Sequence, residues 1–155
     1  MTSNSAMRLD RRALLTGFGG AVFVSALPLR ASATQADLIE ARKRLFGDRP
    51  VQEGRVTVKL PPIAENGYSV PLTVTVDSPM EQQDYVRKIA ILSPRNPLPQ
   101  IAEFHLTPRS GIAQVSTRIR MSGTQSIQAV AEMSDGSLWS GSMETVVTLA
   151  ACVIL

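Results

Sequence analysis

Apolar and polar residues alternate with a period of two along most of the chain after residue 55, a pattern that predicts half-buried β-strands. Pro, Gly, Asn and Asp residues, which favour turns, separate the runs. Pro71 places the second run at a sheet edge or at a strand start. The predicted strands cover residues 55–60, 70–76, 86–92, 101–106, 115–121 and 126–133, a seventh begins at Leu138, and a final run covers 144–149.

The turn between the sixth and seventh strands carries the strongest pairing signal. Residues 134–137 read Ser-Asp-Gly-Ser. The Asp135-Gly136 pair favours the positive φ angles of a tight β-hairpin. The sequence therefore predicts direct contact between the two strands that this turn joins.

A different pattern precedes the strands. Thr34 and Asp37 have the spacing of a capping box, with Thr34 as the N-cap. The apolar residues that follow recur on one helical face, and Gly47 can end the helix. The sequence predicts one short amphipathic helix, whose apolar face consists of Leu38, Ala41 and Leu45.

Seven or eight short, evenly spaced strands without a second helix indicate an all-β protein. We expect an immunoglobulin-like antiparallel β-sandwich preceded by one short N-terminal α-helix. The chain has a single cysteine, so no disulfide within it can join the two sheets. The predicted segments are an export signal over 1–33, a helix and linker over 34–50, the sandwich over 51–149, and a cysteine-bearing tail over 150–155.

The N-terminal residues have the composition of an export signal. Arg11-Arg12 precede a weakly apolar, glycine-containing stretch over 16–29, and Ala31-Ser32-Ala33 forms an A-x-A cleavage site. The paired arginines indicate the twin-arginine route to the periplasm, with cleavage after Ala33. Residues 1–33 hold four of the 16 basic and one of the 13 acidic side chains, so the mature chain has twelve of each. Its neutral balance implies neither a nucleic-acid nor an anionic-membrane partner.

Cys152, the only cysteine, lies three residues from the C-terminus. If Leu149 is the last residue held in a sheet, three extended residues give the thiol a reach of about 10 Å, as a carrier arm would need. The apolar run over 149–155 also fits an inert, packed cysteine. The last four residues form a C-a-a-X box as well, but prenylation requires a eukaryotic cytosol. An unpaired cysteine in the periplasm favours a thiol that reacts with a group outside the chain.

The sequence contains no nucleotide-binding motif, no G-x-S-x-G and no C-x-x-C. One His and one Cys do not form a metal cluster, although a pair between Cys152 and His105 stays open. The charges nearest to Cys152 in sequence are Glu144 and the terminal carboxylate, which do not favour a thiolate. A peroxide-reducing thiol enzyme would lack a resolving cysteine. We therefore predict a substrate-carrying subunit without catalytic residues, cofactor or metal.

Several short motifs of the mature chain are informative together. They are Asn66-Gly67-Tyr68-Ser69-Val70-Pro71-Leu72, Val76-Asp77-Ser78-Pro79-Met80, Asn96-Pro97-Leu98-Pro99, Phe104-His105-Leu106, Ser116-Thr117-Arg118-Ile119-Arg120, Val130-Ala131-Glu132-Met133-Ser134-Asp135-Gly136 and Trp139-Ser140-Gly141. With the twin-arginine signal, these motifs resemble the SoxY family, the sulfur-carrier subunit of the periplasmic thiosulfate-oxidising Sox system. The resemblance covers nearly the whole mature chain.

The resemblance implies an immunoglobulin-like sandwich that pairs with a second sandwich subunit, SoxZ. It implies that Cys152 carries the sulfur substrate covalently to a haem-containing c-type cytochrome, a manganese-dependent sulfate-releasing hydrolase and, in some systems, a sulfur dehydrogenase. Such a carrier has no cofactor of its own. The usual family tail is Gly-Gly-Cys-Gly-Gly, whereas here Ala150-Ala151 precede the cysteine and the stiffer Val153-Ile154-Leu155 follow it.

A structural role is the alternative interpretation. In that case the protein is a non-catalytic scaffolding sandwich whose apolar tail packs on a partner and whose cysteine is inert. Arg118, Arg120 and residues 96–99 are candidate partner contacts in either case. Alternating arginines on a strand are also typical of the solvent-exposed face of a sheet.

Overall fold

The computed structural model describes residues 34–151, which form one α-helix, nine β-strands and a single 3-10 turn. The export signal predicted over 1–33 and the cysteine at 152 lie outside these residues. Within the described part of the chain, no helix is long and apolar enough to cross a membrane. The elements are α1 (Gln35–Phe46), β1 (Val51–Glu53), β2 (Val56–Lys59), β3 (Ile63–Asn66), β4 (Val70–Val76), β5 (Val86–Leu92), β6 (Gln100–His105), the 3-10 turn (Pro108–Ser110), β7 (Gln114–Ile119), β8 (Gln125–Met133) and β9 (Leu138–Leu149).

The predicted helix is confirmed, including both of its ends. Thr34 is the N-cap, and its hydroxyl accepts a hydrogen bond from the Asp37 N–H. The backbone N–H and the hydroxyl of Thr34 both donate to Asp37 Oδ2, which lowers the pKa of this carboxyl group. Gly47 ends the helix with a φ of 72°, in the region that favours glycine.

The strands form two layers, as predicted. The larger sheet has the order β1-β9-β8-β5-β6, with β3 also paired to β9, and the smaller sheet has the order β2-β4-β7. The pairs that build the bulk of both sheets are antiparallel. Strand β6 is an edge strand of the larger sheet, and β2 and β7 are the two edge strands of the smaller sheet.

Two short strands were not predicted, and both pair with β9 in parallel. Val51 pairs with Leu138 at the beginning of β9, and Ile63 pairs with Val146 nearer its end. Between them the chain crosses to the other sheet as β2. Strands of three and four residues are too short to show a clear period of two, which is why the sequence pattern missed them.

The last predicted run, 144–149, is not a separate strand, because it continues the strand that begins at Leu138. Gly141 interrupts the alternation in the middle of β9. A side chain at this position would overlap the Val56 carbonyl, since β2 crosses close to β9 there. Gly141 therefore allows β2 to pass close to β9, and it does not end the strand.

Pro71 lies at the start of β4, which is the central strand of its sheet and not an edge. Strand β2 pairs only with residues 73–76 of β4, so it makes no pair with Pro71. Of the two positions that the proline allowed, the strand start is confirmed.

The hairpin between β8 and β9 forms where it was predicted, but only one of its residues has a positive φ angle. Gly136 adopts φ 85°, whereas Asp135 does not enter that region. Gly136 donates to Met133 O and Met133 donates to Ser137 O, which gives a three-residue loop. Asp135 Oδ1 accepts from both the hydroxyl and the N–H of Ser137, and these hydrogen bonds lower the pKa of Asp135.

Apolar side chains fill the space between the sheets and also the space beneath α1. The main core includes Leu72, Ile89, Ile91, Met121, Ile127 and Met133, all buried. Leu38 and Phe46 of α1 pack with Leu92, Val130 and Leu138 on the outer face of the larger sheet. The Lys88 ammonium group links the helix to strand β5, since it donates to Leu45 O at 2.9 Å and lies 4.6 Å from the Phe46 ring centre.

Candidate functional site

The chain is held in place up to the residue before the predicted sulfur-attachment site. Strand β9 ends at Leu149, but Ala151 is 95% buried, with only 5% of its surface exposed. Its backbone N–H donates to Met121 O at 3.0 Å. Leu149 is thus the last residue of the sheet, as the estimate of the reach assumed, but a further hydrogen bond holds the chain two residues beyond it. Cys152 itself lies outside the described residues, and its position follows only from its covalent bond to Ala151.

The anchor is formed by backbone groups from three segments that are distant in sequence. Gly67 donates to Leu149 O at 2.7 Å, and Met121 donates to Gly67 O at 2.8 Å. The Ala151–Met121 hydrogen bond completes the set. We call these three hydrogen bonds the tail anchor. They connect the end of β9 in one sheet to the end of β7 in the other.

Gly67 is at the centre of the tail anchor because no side chain fits there. A Cβ atom at this position would overlap Met121 O and would lie 2.9 Å from Ala151 N. The reason is close packing and not backbone conformation, since φ of Gly67 is not positive. Gly67 belongs to one of the motifs that resemble the SoxY family, but nothing in the local sequence pattern indicates that it holds the tail.

A buried polar network supports the Met121 side of the anchor. Asn96 Nδ2 donates to Arg120 O at 2.8 Å, and Asn96 Oδ1 accepts from the Ser122 N–H and from Gln125 Nε2. Gln125 Oε1 accepts from the Ser93 hydroxyl at 2.6 Å. Because Asn96, Gln125 and Ser93 are buried, these bonds fix the 93–99 loop against the ends of β7 and β8.

Among the described residues, the charged side chains nearest to the tail anchor in the fold are not the nearest ones in sequence. Glu144 lies inside β9, opposite Ser126, whereas Arg120 directly precedes the anchoring residue Met121. Arg118 Nη1 reaches Ser69, 3.4 Å from its carbonyl oxygen and 3.3 Å from its hydroxyl. The fold thus brings basic side chains to the point where the tail leaves the body.

His105 does not belong to this end of the sandwich. It pairs with Lys88 at the beginning of β5, and its Nε2 lies 3.0 Å from Glu103 Oε1. Lys88 pairs with Glu132 of β8, whereas the residue of β8 nearest to the tail anchor is Gln125, at the start of the strand. Glu132 is seven residues further along β8 than Gln125, about 23 Å away. The possible Cys–His pair is therefore not supported.

Residues 34–151 contain no group of three or more His, Cys, Asp or Glu side chains that could hold a metal ion. The site that the described residues define is a point of chain exit. Backbone hydrogen bonds hold it, a buried amide network supports it, and Arg118 and Arg120 lie at the adjoining end of β7.

Comparisons with known proteins identify the family. The family model described as "Sulfur oxidation protein SoxY" matches residues 42–152, which includes Cys152. The solved structure of the sulfur carrier protein SoxY from Chlorobium limicola f thiosulfatophilum is similar, with a TM-score of 0.62 and 34% sequence identity over 72% of this chain and 91% of that one. The chain belongs to the SoxY family.

More distant structures share only the fold. Superoxide reductase (neelaredoxin) from Ignicoccus hospitalis has a TM-score of 0.54 at 17% identity, covering 61% of this chain and 80% of its own. Superoxide reductase from Nanoarchaeum equitans has a TM-score of 0.51 at 12% identity, covering 61% and 99%. A search of curated protein sequences found no match.

Proposed function

We propose that this protein is a periplasmic sulfur carrier that holds thiosulfate-derived sulfur covalently on Cys152. The observation that carries the proposal is the tail anchor, which ends at Ala151, the residue directly before the only cysteine. A carrier must present its attachment atom at a defined place on its surface. Membership of the SoxY family, whose model extends to residue 152, supports the same role.

The chemistry requires an external electron acceptor. The Cys152 thiol loses its proton, its sulfur bonds to the terminal sulfur of thiosulfate, and two electrons pass to the c-type cytochrome in two one-electron steps, since a haem iron accepts only one electron at a time. Water then attacks the outer sulfur in the manganese-dependent hydrolase, so the S–S bond to the sulfonate breaks. Sulfate leaves, two protons are released, and a persulfide stays on the carrier. This chain supplies only the attachment atom and its presentation.

The partners proposed from the family are a SoxZ-like sandwich subunit in a heterodimer and the enzymes that load and unload the cysteine. A sulfur dehydrogenase is a further transient partner in some systems. The export signal predicted over residues 1–33 would take the chain through the twin-arginine pathway to the periplasm, where these reactions occur.

The scaffolding alternative is favoured by one observation, the burial of Ala151, because it shows that the apolar end of the chain packs at least that far. The two functions require different states of the cysteine. A carrier needs an accessible thiol in the native protein, whereas a packed tail protects it.

Labelling with a maleimide distinguishes the two functions. For the native heterodimer we expect Cys152 to react at a rate within about 10-fold of the rate in urea-unfolded chain, since the reagent reaches an exposed thiol freely in both states. Intact mass spectrometry measures the labelled fraction. A native thiol that stays unlabelled while the unfolded chain reacts fully would support the scaffold instead.

A further inference from the structure

The tail anchor limits how far the sulfur can travel. One Cα-to-Cα step and the short cysteine side chain keep the sulfur within roughly 7 Å of the Ala151 Cα atom. This is less than the reach expected if anchoring ended at Leu149. A partner enzyme must therefore bring its reacting group to the end of the sandwich itself, and its surface must contact the residues around the anchor.

Those residues form what we call the basic collar, Arg95, Arg118 and Arg120. Arg118 lies on the Gly67 side of the anchor, through its contacts with Ser69. Arg95 lies on the opposite side, where its Nη1 donates to Thr124 O at 2.7 Å. Thr124 Oγ1 in turn accepts from the Val147 N–H of β9 at 2.9 Å. The guanidinium groups of Arg95 and Arg118 thus contact two different segments that adjoin the tail anchor.

The described residues at this end carry a net positive charge although the mature chain is formally neutral. The segments that build it, 65–71, 93–99, 117–124 and 146–151, contain the three collar arginines and one carboxylate, Glu65. Within the described chain, neither Arg118 nor Arg120 has a carboxylate within 4 Å. By contrast, Arg49 and Lys88 near the other end pair with Glu132.

Apolar side chains are exposed inside the collar. Tyr68, next to Gly67, is 46% exposed, and Leu149 is 60% exposed. An apolar centre surrounded by a polar rim, with tyrosine and arginine enriched, is typical of a protein–protein interface.

We propose that the basic collar is the docking surface for the enzymes that load and unload Cys152, and that it binds an acidic rim around their active-site entrance. The inference depends on the proposed carrier function and adds the contact surface and the charge of the partner. Because Arg118 and Arg120 are exposed and lack internal carboxylates, their main effect is on the rate of association.

The test uses the R118E/R120E double variant in the SoxZ-paired heterodimer. Loading is measured by intact mass spectrometry with thiosulfate and the c-type cytochrome of the same system, at low and at high salt. We expect kcat/KM for loading to fall by about 10-fold or more at low salt, and the difference from wild type to shrink at high salt, because screening removes electrostatic steering. The R118K/R120K variant should load nearly normally.

R87E/R109E is the matched control. It changes the net charge equally, but both arginines are exposed at the opposite end of the sandwich, where β5 begins and in the 3-10 turn. Equal loss of loading in the control, or wild-type loading by R118E/R120E at both salt concentrations, would overturn the proposal.

Alkylation of Cys152 by anionic iodoacetate and by neutral iodoacetamide tests whether the arginines act on the small sulfur anion instead. We expect R118E/R120E to change both rates by less than about 3-fold, since the collar contacts the protein partner. A fall confined to iodoacetate, as large as the fall in loading, would contradict docking. If wild-type protein acquires no adduct at all, the carrier function fails; if wild type and R118E/R120E load equally, only the docking surface fails.

Discussion

Replacing Cys152 by serine is expected to abolish thiosulfate-dependent sulfur loading completely, while folding and heterodimer formation stay normal. A serine hydroxyl cannot form the S–S bond that holds the substrate, and the chain has no second cysteine to take over. The measurement is thiosulfate consumption by a Cys152→Ser strain, with thermal unfolding of the purified variant as the check on folding.

A displaced thiol provides the matched control for this variant. In the Ala150→Cys/Cys152→Ser double variant, a thiol is present two residues earlier, between the anchored residues Leu149 and Ala151. Ala150 is exposed, so the substitution should be tolerated. Because position 150 precedes the anchored Ala151, we expect no recovery of thiosulfate oxidation. Full activity of the Cys152→Ser strain would contradict the account.

The second large effect is expected from Gly67→Ala. The new methyl group must displace Met121 O or Ala151 N, and such overpacking costs about 2 kcal/mol of unfolding free energy. The tail anchor should open before the rest of the sandwich. We therefore expect amide hydrogen exchange at Ala151 and Met121 to accelerate beyond the global change in stability, and Cys152 loading to slow.

Gly141→Ala separates this local effect from general destabilisation. A methyl group there also overlaps a backbone carbonyl, that of Val56, but Leu149 is eight residues further along the strand, about 26 Å away. Gly141→Ala should lower the unfolding free energy about as much as Gly67→Ala does. The amide exchange of Ala151 should then accelerate only as much as the global loss of stability predicts. Equal protection of Ala151 in both variants would show that Gly67 does not hold the tail.

Most of the fold was predictable because its signals are local. Thr34 and Asp37 define the start of the helix within four residues, and the alternation in β4, β7 and β8 is long enough to show a period of two. Strands β1 and β3 were missed because three or four residues carry no clear period. Their parallel pairing with β9 depends on the path of β2 between the sheets, which no local pattern encodes.

The candidate site was predictable only in part. The single terminal cysteine marks Cys152 as the attachment residue, which stays a prediction. The tail anchor could not be predicted from any local pattern, since Gly67, Met121 and Ala151 come from segments at least thirty residues apart. Arg118 and Arg120 were recognised as candidate contacts, but their position beside the exit of the tail is a result of the fold.

The most direct test of the carrier function is the mass of the protein isolated from the periplasm of thiosulfate-grown cells. Peptide mapping without reducing agent should place a thiosulfonate or persulfide adduct on the C-terminal peptide that contains Cys152, in a chain that lacks residues 1–33. A chain whose Cys152 is unmodified throughout growth on thiosulfate would contradict the account.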